Sequence, residues 1–417
     1  MKKVILSILT MVLVLSITAC ASTPTAGLLL SGIHRDTSPS VENSDVTTLV
    51  DGNSEFAFDM FQALKQHDGN LFYSPYSISL ALAMTYAGAR NETATEMASV
   101  LHFTLTQDRL HPAFDWLDLA LNNQSSKGFQ LNIANALWGQ KNYKFLDSFL
   151  NTLGQNYGAG MRLLDFVNQL EPSRVTINDW ISDQTEHKIQ DLIPQGAIDS
   201  LTRLVLTNAI YFKADWLKPF DHESTRDGEF HLIGGGNVTV PMMAQSGSFT
   251  YADGDGYQAI ELPYDGDQMS MVIMLPDSGK FESFESNLSA ARVDQTISSL
   301  ESHEVDLTMP KFKYDYECSL AETLAGMGMP TAFSDGADFS GMTGNRELSI
   351  TDVLHKAYVS VDEKGTEAAA ATAVIVGLTS MPVETVQMTV DRPFIFLIRD
   401  IENGTILFIG RVMNPST

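Results

Sequence analysis

Glu363-Lys364-Gly365-Thr366-Glu367, four alanines from Ala368 to Ala371, and Thr372-Ala373-Val374-Ile375-Val376 make a run of small residues charged only near its start. Two local readings compete for it. Alanine is the best helix former, so Thr366 to Ala373 fits a short exposed helix. Read with period two, Thr366, Ala368, Ala370, Thr372, Val374 and Val376 fall on one face, small at first and β-branched later. That face could lie against a core if the segment became a strand. The flanks sharpen the question. Ala357 to Val361 and Pro393 to Arg399 read as strands, which leaves about thirty residues between Val361 and Arg392 without an obvious element. Loops beyond about 12–15 residues are uncommon in compact domains and are usually functional or disordered.

Further out, Leu204 to Trp216, Ala259 to Pro263, Met269 to Pro276, Val305 to Tyr316 and Thr405 to Val412 are rich in β-branched and aromatic residues and read as strands. Earlier in the chain, Ser54 to Gln66 carries Phe56, Phe58, Phe61 and Leu64 at mostly helical spacing, with Ser54 as its cap. Ser77 to Ala87, Asn91 to Leu101 and Asn178 to Lys188 are further helix candidates. Helices dominate the first half and strands the second, with no repeat of fixed period. That order predicts a single α+β domain over residues 47–417, and the 44% hydrophobic content supports a sizeable core.

The first nineteen residues read as an export signal: Lys2 and Lys3, then an apolar run from Val4 to Ala19. The run is short of the roughly 20 residues that a membrane span needs. Leu15-Ser16-Ile17-Thr18-Ala19-Cys20 resembles a bacterial lipoprotein cleavage box. It predicts cleavage before Cys20 and a lipid on that sulfur, hence an exported protein that is membrane-anchored or extracellular. One acyl chain binds membranes only marginally, so firm anchoring needs several on that cysteine. Residues 20–46, rich in Ser, Thr, Pro and Gly, read as a flexible tether. Cleavage removes two of the 26 basic residues and none of the 51 acidic ones, leaving a net charge of −27. Such a surface repels polyanions, so nucleic acid is not an expected partner. With Cys20 lipidated, Cys318 has no partner for an intramolecular disulfide.

Enzyme chemistry finds little support. The nine histidines form no His-Glu-x-x-His pair, and one mature cysteine cannot build a thiolate zinc cluster, so no metal or other cofactor is expected. There is no phosphate loop and no Gly-x-Ser-x-Gly elbow. Gly254-Asp255-Gly256-Tyr257-Gln258-Ala259 fits a dinucleotide pattern, but a strand reading follows where that site needs a helix, so an acidic turn is the better reading. The calcium-loop positions that need Gly and Glu hold Gln258 and Tyr264.

The long loop and its flanks resemble the serpin family from about Val46 to Pro415. The stretches that carry the resemblance are Asn70 to Ser79, Thr207 to Lys213, Phe333 to Gly341, His355-Lys356-Ala357, Glu363 to Thr372 and Arg392-Pro393-Phe394. The resemblance implies a serpin fold of three β-sheets with eight or nine helices and an exposed reactive-centre loop. It implies a monomeric inhibitor of serine-type endopeptidases, not an enzyme. The inhibitor acts as a suicide substrate: the protease cuts the loop, the loop inserts into the main sheet, and the trapped acyl-enzyme is dragged with it. The alternative within the family is a non-inhibitory carrier or surface structural protein.

Residue roles carry over by position. Glu363, Gly365, Thr366, Ala368, Ala370 and Thr372 match the hinge, whose inward side must be small and uncharged to enter a sheet. Ser74, Ser77, Asn208 and His355 match the shutter, a polar cluster beneath the sheet. Trp216 matches the breach, where the loop enters. The reactive bond falls between Thr379 and Ser380, with Leu378 as runner-up; counted back from Pro393, the loop is about three residues longer than the common pattern. No Arg or Lys lies between Gly365 and Asp391, which points to elastase-like or subtilisin-like serine proteases, with papain-like cysteine proteases as a further class. Between Ser99 and Gly128 only Arg109 and Lys127 are cationic, so heparin is not an expected partner.

Overall fold

A computed structural model describes residues 26–124, 129–366 and 385–416, in which sixteen strands and ten α-helices follow one another. In chain order these begin with β1 (Gly27–Leu29), α1 (Asn43–Leu64), β2 (Leu71–Tyr73), α2 (Pro75–Tyr86), α3 (Asn91–Val100) and α4 (Gln107–Gln124). Next come β3 (Phe129–Gln140), α5 (Asp147–Tyr157), β4 (Met161–Leu164) and α6 (Leu170–Gln184). Strands then dominate: β5 (Leu204–Asp215), β6 (Arg226–His231), β7 (Asn237–Gly254), β8 (Tyr257–Pro263) and β9 (Met269–Pro276). Helices α7 (Phe281–Ser286) and α8 (Ala290–Ser298) precede β10 (Glu301–Pro310) and β11 (Phe312–Ser319). After α9 (Ala321–Met327) and α10 (Ser340–Thr343) come β12 (Asp352–Val361), β13 (Gly365–Thr366), β14 (Thr385–Thr389), β15 (Phe394–Asp400) and β16 (Ile406–Val412).

The strands form two sheets. The first has seven, in the order β1-β4-β3-β5-β13-β12-β11; the second has nine, in the order β14-β10-β7-β8-β9-β15-β16-β2, with β6 on β7. Three sheets were expected, and the difference has a simple cause. β7 is 18 residues long and pairs in turn with β6 from Asn237, with β10 through its middle and with β8 at its end. One continuous strand thus joins what would otherwise be separate sheets. The helices number ten rather than eight or nine because single-turn pieces such as α10, four residues long, are among them.

Helix α2 is buried at all twelve positions and packs against β3 and β5 of the first sheet and β16 of the second. A helix apolar all round belongs between layers, and its sequence, PYSISLALAMTY, is of that kind. Its start is fixed by Ser74, whose hydroxyl accepts from the Ser77 N–H at 3.2 Å, and by Pro75 in the first turn. The opposite face of the first sheet is covered by α6, whose Ile177 and Ile181 pack with Trp138, Val205, Ala209 and Leu354.

Two expectations shift. Helix α1 begins at Asn43, not Ser54, and buries Val46, Leu49 and Val50 as well as the aromatic run. Gly52, inside this helix, meets a packing requirement: a Cβ there would lie 2.6 Å from the His102 carbonyl oxygen. Residues 26–46 are also not free. β1 pairs with β4, and Arg35 reaches Asp115 and Asp118 on α4.

Candidate functional site

β5 and β12 run parallel and pair directly from Val205–Asp352 to Tyr211–Tyr358. Beyond Tyr358 they part, and β13 fills the gap. Gly365 sits opposite Asp215, and Thr366 opposite both Ala214 and Val361, antiparallel to each neighbour. The reversal from β12 takes only Asp362, Glu363 and Lys364, closed by the Asp362 N–H donating to the Gly365 carbonyl at 2.9 Å. Gly365 is required by close approach: a Cβ would fall 2.0 Å from the Ala214 carbonyl oxygen. Thr366 is buried, and its hydroxyl lies 2.7 Å from that of Tyr264, so its side chain faces inward.

Trp216 stacks on Tyr264 with ring centroids 4.6 Å apart. Its indole N–H donates to the Asp362 carbonyl at 3.0 Å, and its amide N–H donates to the Lys364 carbonyl at 2.6 Å. It therefore holds both arms of the turn that leads into β13, a more specific role than filling a core. The Glu363 carboxylate accepts from Lys311 Nζ at 2.7 Å and from the Thr225 hydroxyl at 2.8 Å, and lies 3.1 Å from His222 Nδ1. Burial pushes its carboxyl up, but these partners, Lys311 foremost, outweigh that and bring it down to about 2.

Halfway down the sheet a row of polar side chains crosses three strands. Asn135 on β3 is paired in register with Asn208 on β5, and Asn208 with His355 on β12. The Asn208 amide donates to Ser77 Oγ at 2.5 Å and to Asn135 Oδ1, which leaves Asn208 Oδ1 to accept from His355 Nδ1. His355 Nε2 accepts from the Ser74 N–H at 3.4 Å. The ring is thus neutral, with its proton on Nδ1 and no acceptor facing Nε2. Burial lowers its pKa to about 3.

The structure accordingly brings Ser74, Ser77, Asn208 and His355 into one cluster at the N-terminus of α2, and Glu363, Gly365, Thr366 and Trp216 into another at the upper end of the β5–β12 seam. Ala368, Ala370, Thr372, Leu378, Thr379, Ser380 and Cys20 lie outside the described residues. The stretch expected to lack any element is shorter than about thirty residues, because β14 pairs in parallel with β10 from Thr385 to Thr389. Sequence reasoning missed Asn135, Tyr264 and Lys311. Asn135 lies in a strand that was not foreseen, although Gln130-Leu131-Asn132-Ile133 carries an alternating signal for it.

A family model described as serpin (serine protease inhibitor) matches residues 51–415. A serpin-like protein of Thermococcus kodakarensis is 41% identical over 370 residues, covering 88% of this chain and 86% of its own length. Human leukocyte elastase inhibitor is 40% identical over 384 residues, 88% of this chain and 99% of its own. Among solved structures, the native state of the thermophilic serpin tengpin superposes with a TM-score of 0.84 at 28% identity, covering 94% of this chain and 100% of that one. The two-sheet fold, the short antiparallel strand opening the parallel seam and the match over nearly the whole length agree: this chain belongs to the serpin family.

Proposed function

We propose that this protein inhibits an endopeptidase as a suicide substrate, its loop entering the first sheet between β5 and β12 after cleavage. The observation that carries the reading is the register of β13. Continued past Thr366, its pairing with β5 and its pairing with β12 call for the same rows that β5 and β12 already share. Ala370 would enter between Ile210 and Ala357, Thr372 between Asn208 and His355, and Val376 between Leu204 and Thr351. Each incoming strand residue finds antiparallel partners on both sides, whereas the seam it replaces is parallel, a slightly weaker pairing per residue. The inward residues are Ala, Ala, Thr, Val and Val, which bury no charge on entering.

The Asn208–His355 bond lies across this path and must open, and Thr372 brings a hydroxyl to the place it vacates. The target proposed is an elastase-like or subtilisin-like serine protease, with papain-like cysteine proteases next. No cation lies between Gly365 and Asp391, and relatives about 40% identical are named leukocyte elastase inhibitors. The bond proposed for attack remains Thr379–Ser380, with Leu378 as the alternative donor. We place the mature chain outside the cytoplasm, starting at a lipid-bearing Cys20. Incubation with neutrophil elastase and subtilisin tests the function. An SDS-stable adduct of protease and protein is expected, and loop cleavage without adduct across a broad protease panel would refute it.

A further inference from the structure

The N-terminal arm, residues 26–42, lies outside the stretch matched by the family model, yet the body is shaped to receive it. β1 adds an antiparallel strand to the edge of the first sheet, with Gly27 opposite Leu163 and Leu29 opposite Met161. The Asp36 N–H donates to the Gln155 carbonyl at 2.9 Å. Arg35 donates to Asp115, whose side chain is fully buried, at 2.7 Å and to Asp118 at 2.6 Å. Two glycines make room: a Cβ on Gly154 would lie 2.4 Å from Ser31 Oγ, and one on Gly160 would lie 2.5 Å from the Leu29 carbonyl oxygen.

The register fixes where the arm begins. Leu164, beside which Ala26 falls, pairs with Gln140, and the Gln140 N–H donates to the Arg203 carbonyl. That is the end of the sheet where β5 starts. The loop leaves the opposite end, beside Asp215, eleven residues or about 36 Å along β5. Cys20 is six residues before Ala26, so whatever path the chain takes, it lies within about 20 Å of this lower pole. Two of the exposed apolar side chains flank it. Of seven large ones among the described residues, Leu28, Leu30 and Ile33 are on the arm and Val167 and Leu201 flank the pole; only Leu217 and Ile233 lie elsewhere. Leu201 is 75% exposed, in a chain whose acidic surface otherwise favours water.

We infer that the docked arm orients the anchored molecule: the pole bearing Val167 and Leu201 rests on the lipid bilayer and the bait loop points away from it. This rests on the lipid at Cys20 proposed above. The test separates the two claims. Protein starting at Cys20, with Cys318→Ala, is coupled through the Cys20 thiol to a maleimide lipid in vesicles of phosphatidylethanolamine and phosphatidylglycerol that carry a headgroup acceptor dye. A donor dye is placed through an azido amino acid at position 200 or, at the other pole, 223. Energy transfer several-fold greater from 200 than from 223 is expected; equal or reversed transfer would overturn the orientation. Gly154→Val combined with Gly160→Val, which blocks the arm's seat, should abolish the difference, and a difference that persists would show that the arm does not set it. Intact mass of the protein extracted from its own membranes checks the anchor separately, and an unmodified Cys20 would remove the premise whatever the vesicles report.

Discussion

His355 sits in the β5–β12 seam with one ring nitrogen donating and the other accepting, so a second proton would have nowhere to go. An exposed imidazole takes up that proton near pH 6.5, whereas the buried ring holds it off to about 3. Between those values the unfolded chain binds more protons than the folded one. Stability is therefore lost as pH falls from about 6.5 toward 3, at about 1.4 kcal/mol per unit for this group. His355→Gln cannot titrate, and denaturant titrations from pH 7 to 4 should give it a shallower pH dependence than the parent. His111, lowered to about 4 by burial, adds slope of the same sign, while Asp115, raised to about 6 by burial, works against both as pH falls from about 6. Glu363 acts in a lower window: its stabilisation is complete above about pH 4.5 and fades toward about 2.

Position in the register decides what a charge does in the loop. Ala370 is an inward residue of the proposed inserted strand and Ala369 an outward one. Ala370→Arg should cut adduct formation by more than about tenfold, since burying an unpaired charge costs several kcal/mol, while loop cleavage continues. Ala369→Arg should inhibit nearly as the parent does. Thr366→Arg is a blunter probe, because Thr366 is already buried against Tyr264 before any cleavage.

At the scale of elements, β13 is two residues long, yet it pairs with both β5 and β12 where they part. Gly365→Ala would drive a methyl group into the Ala214 carbonyl, a cost of about 1–3 kcal/mol by analogy with overpacked cores. Amide hydrogen exchange should quicken around Ala214 and Asp215 while the lower half of β5, near Leu204, stays protected. Uniform exchange along β5 would mean that β13 does not hold the upper end. Much of this was legible in the sequence. The strands from Leu204 onward carry dense β-branched and aromatic runs, and β13 falls where Gly365-Thr366 opens a run of small residues. β3 and β14 were not, for physical reasons. β3 carries Asn135 among its apolar residues, because a central polar row must be satisfied there rather than filled. β14, an exposed edge strand, has little apolar pattern to show: only Met388 of its five residues is buried.

At the scale of the whole molecule, the fold class follows from the sequence, whereas the arm does not. Its docking depends on contacts 80 or more residues distant, with Gly154 and Gly160 as seats and Asp115 buried beneath Arg35. Nothing in a stretch rich in Ser, Thr, Pro and Gly announces such partners. The merging of sheets through β7 is likewise a matter of one strand's length and not of its composition.

The central claim is that the loop is a strand held outside a sheet that would be more stable with it inside. Cutting the loop between residues 377 and 382 with a catalytic amount of protease, then comparing melting temperatures of intact and nicked protein, tests it most directly. At about 2.1 cal/mol/K per residue, a gain of about 8 kcal/mol raises Tm by roughly 10 °C in a chain of this size. The account predicts a rise of at least that size, with both fragments remaining associated; a Tm that is unchanged or lower after nicking would contradict it.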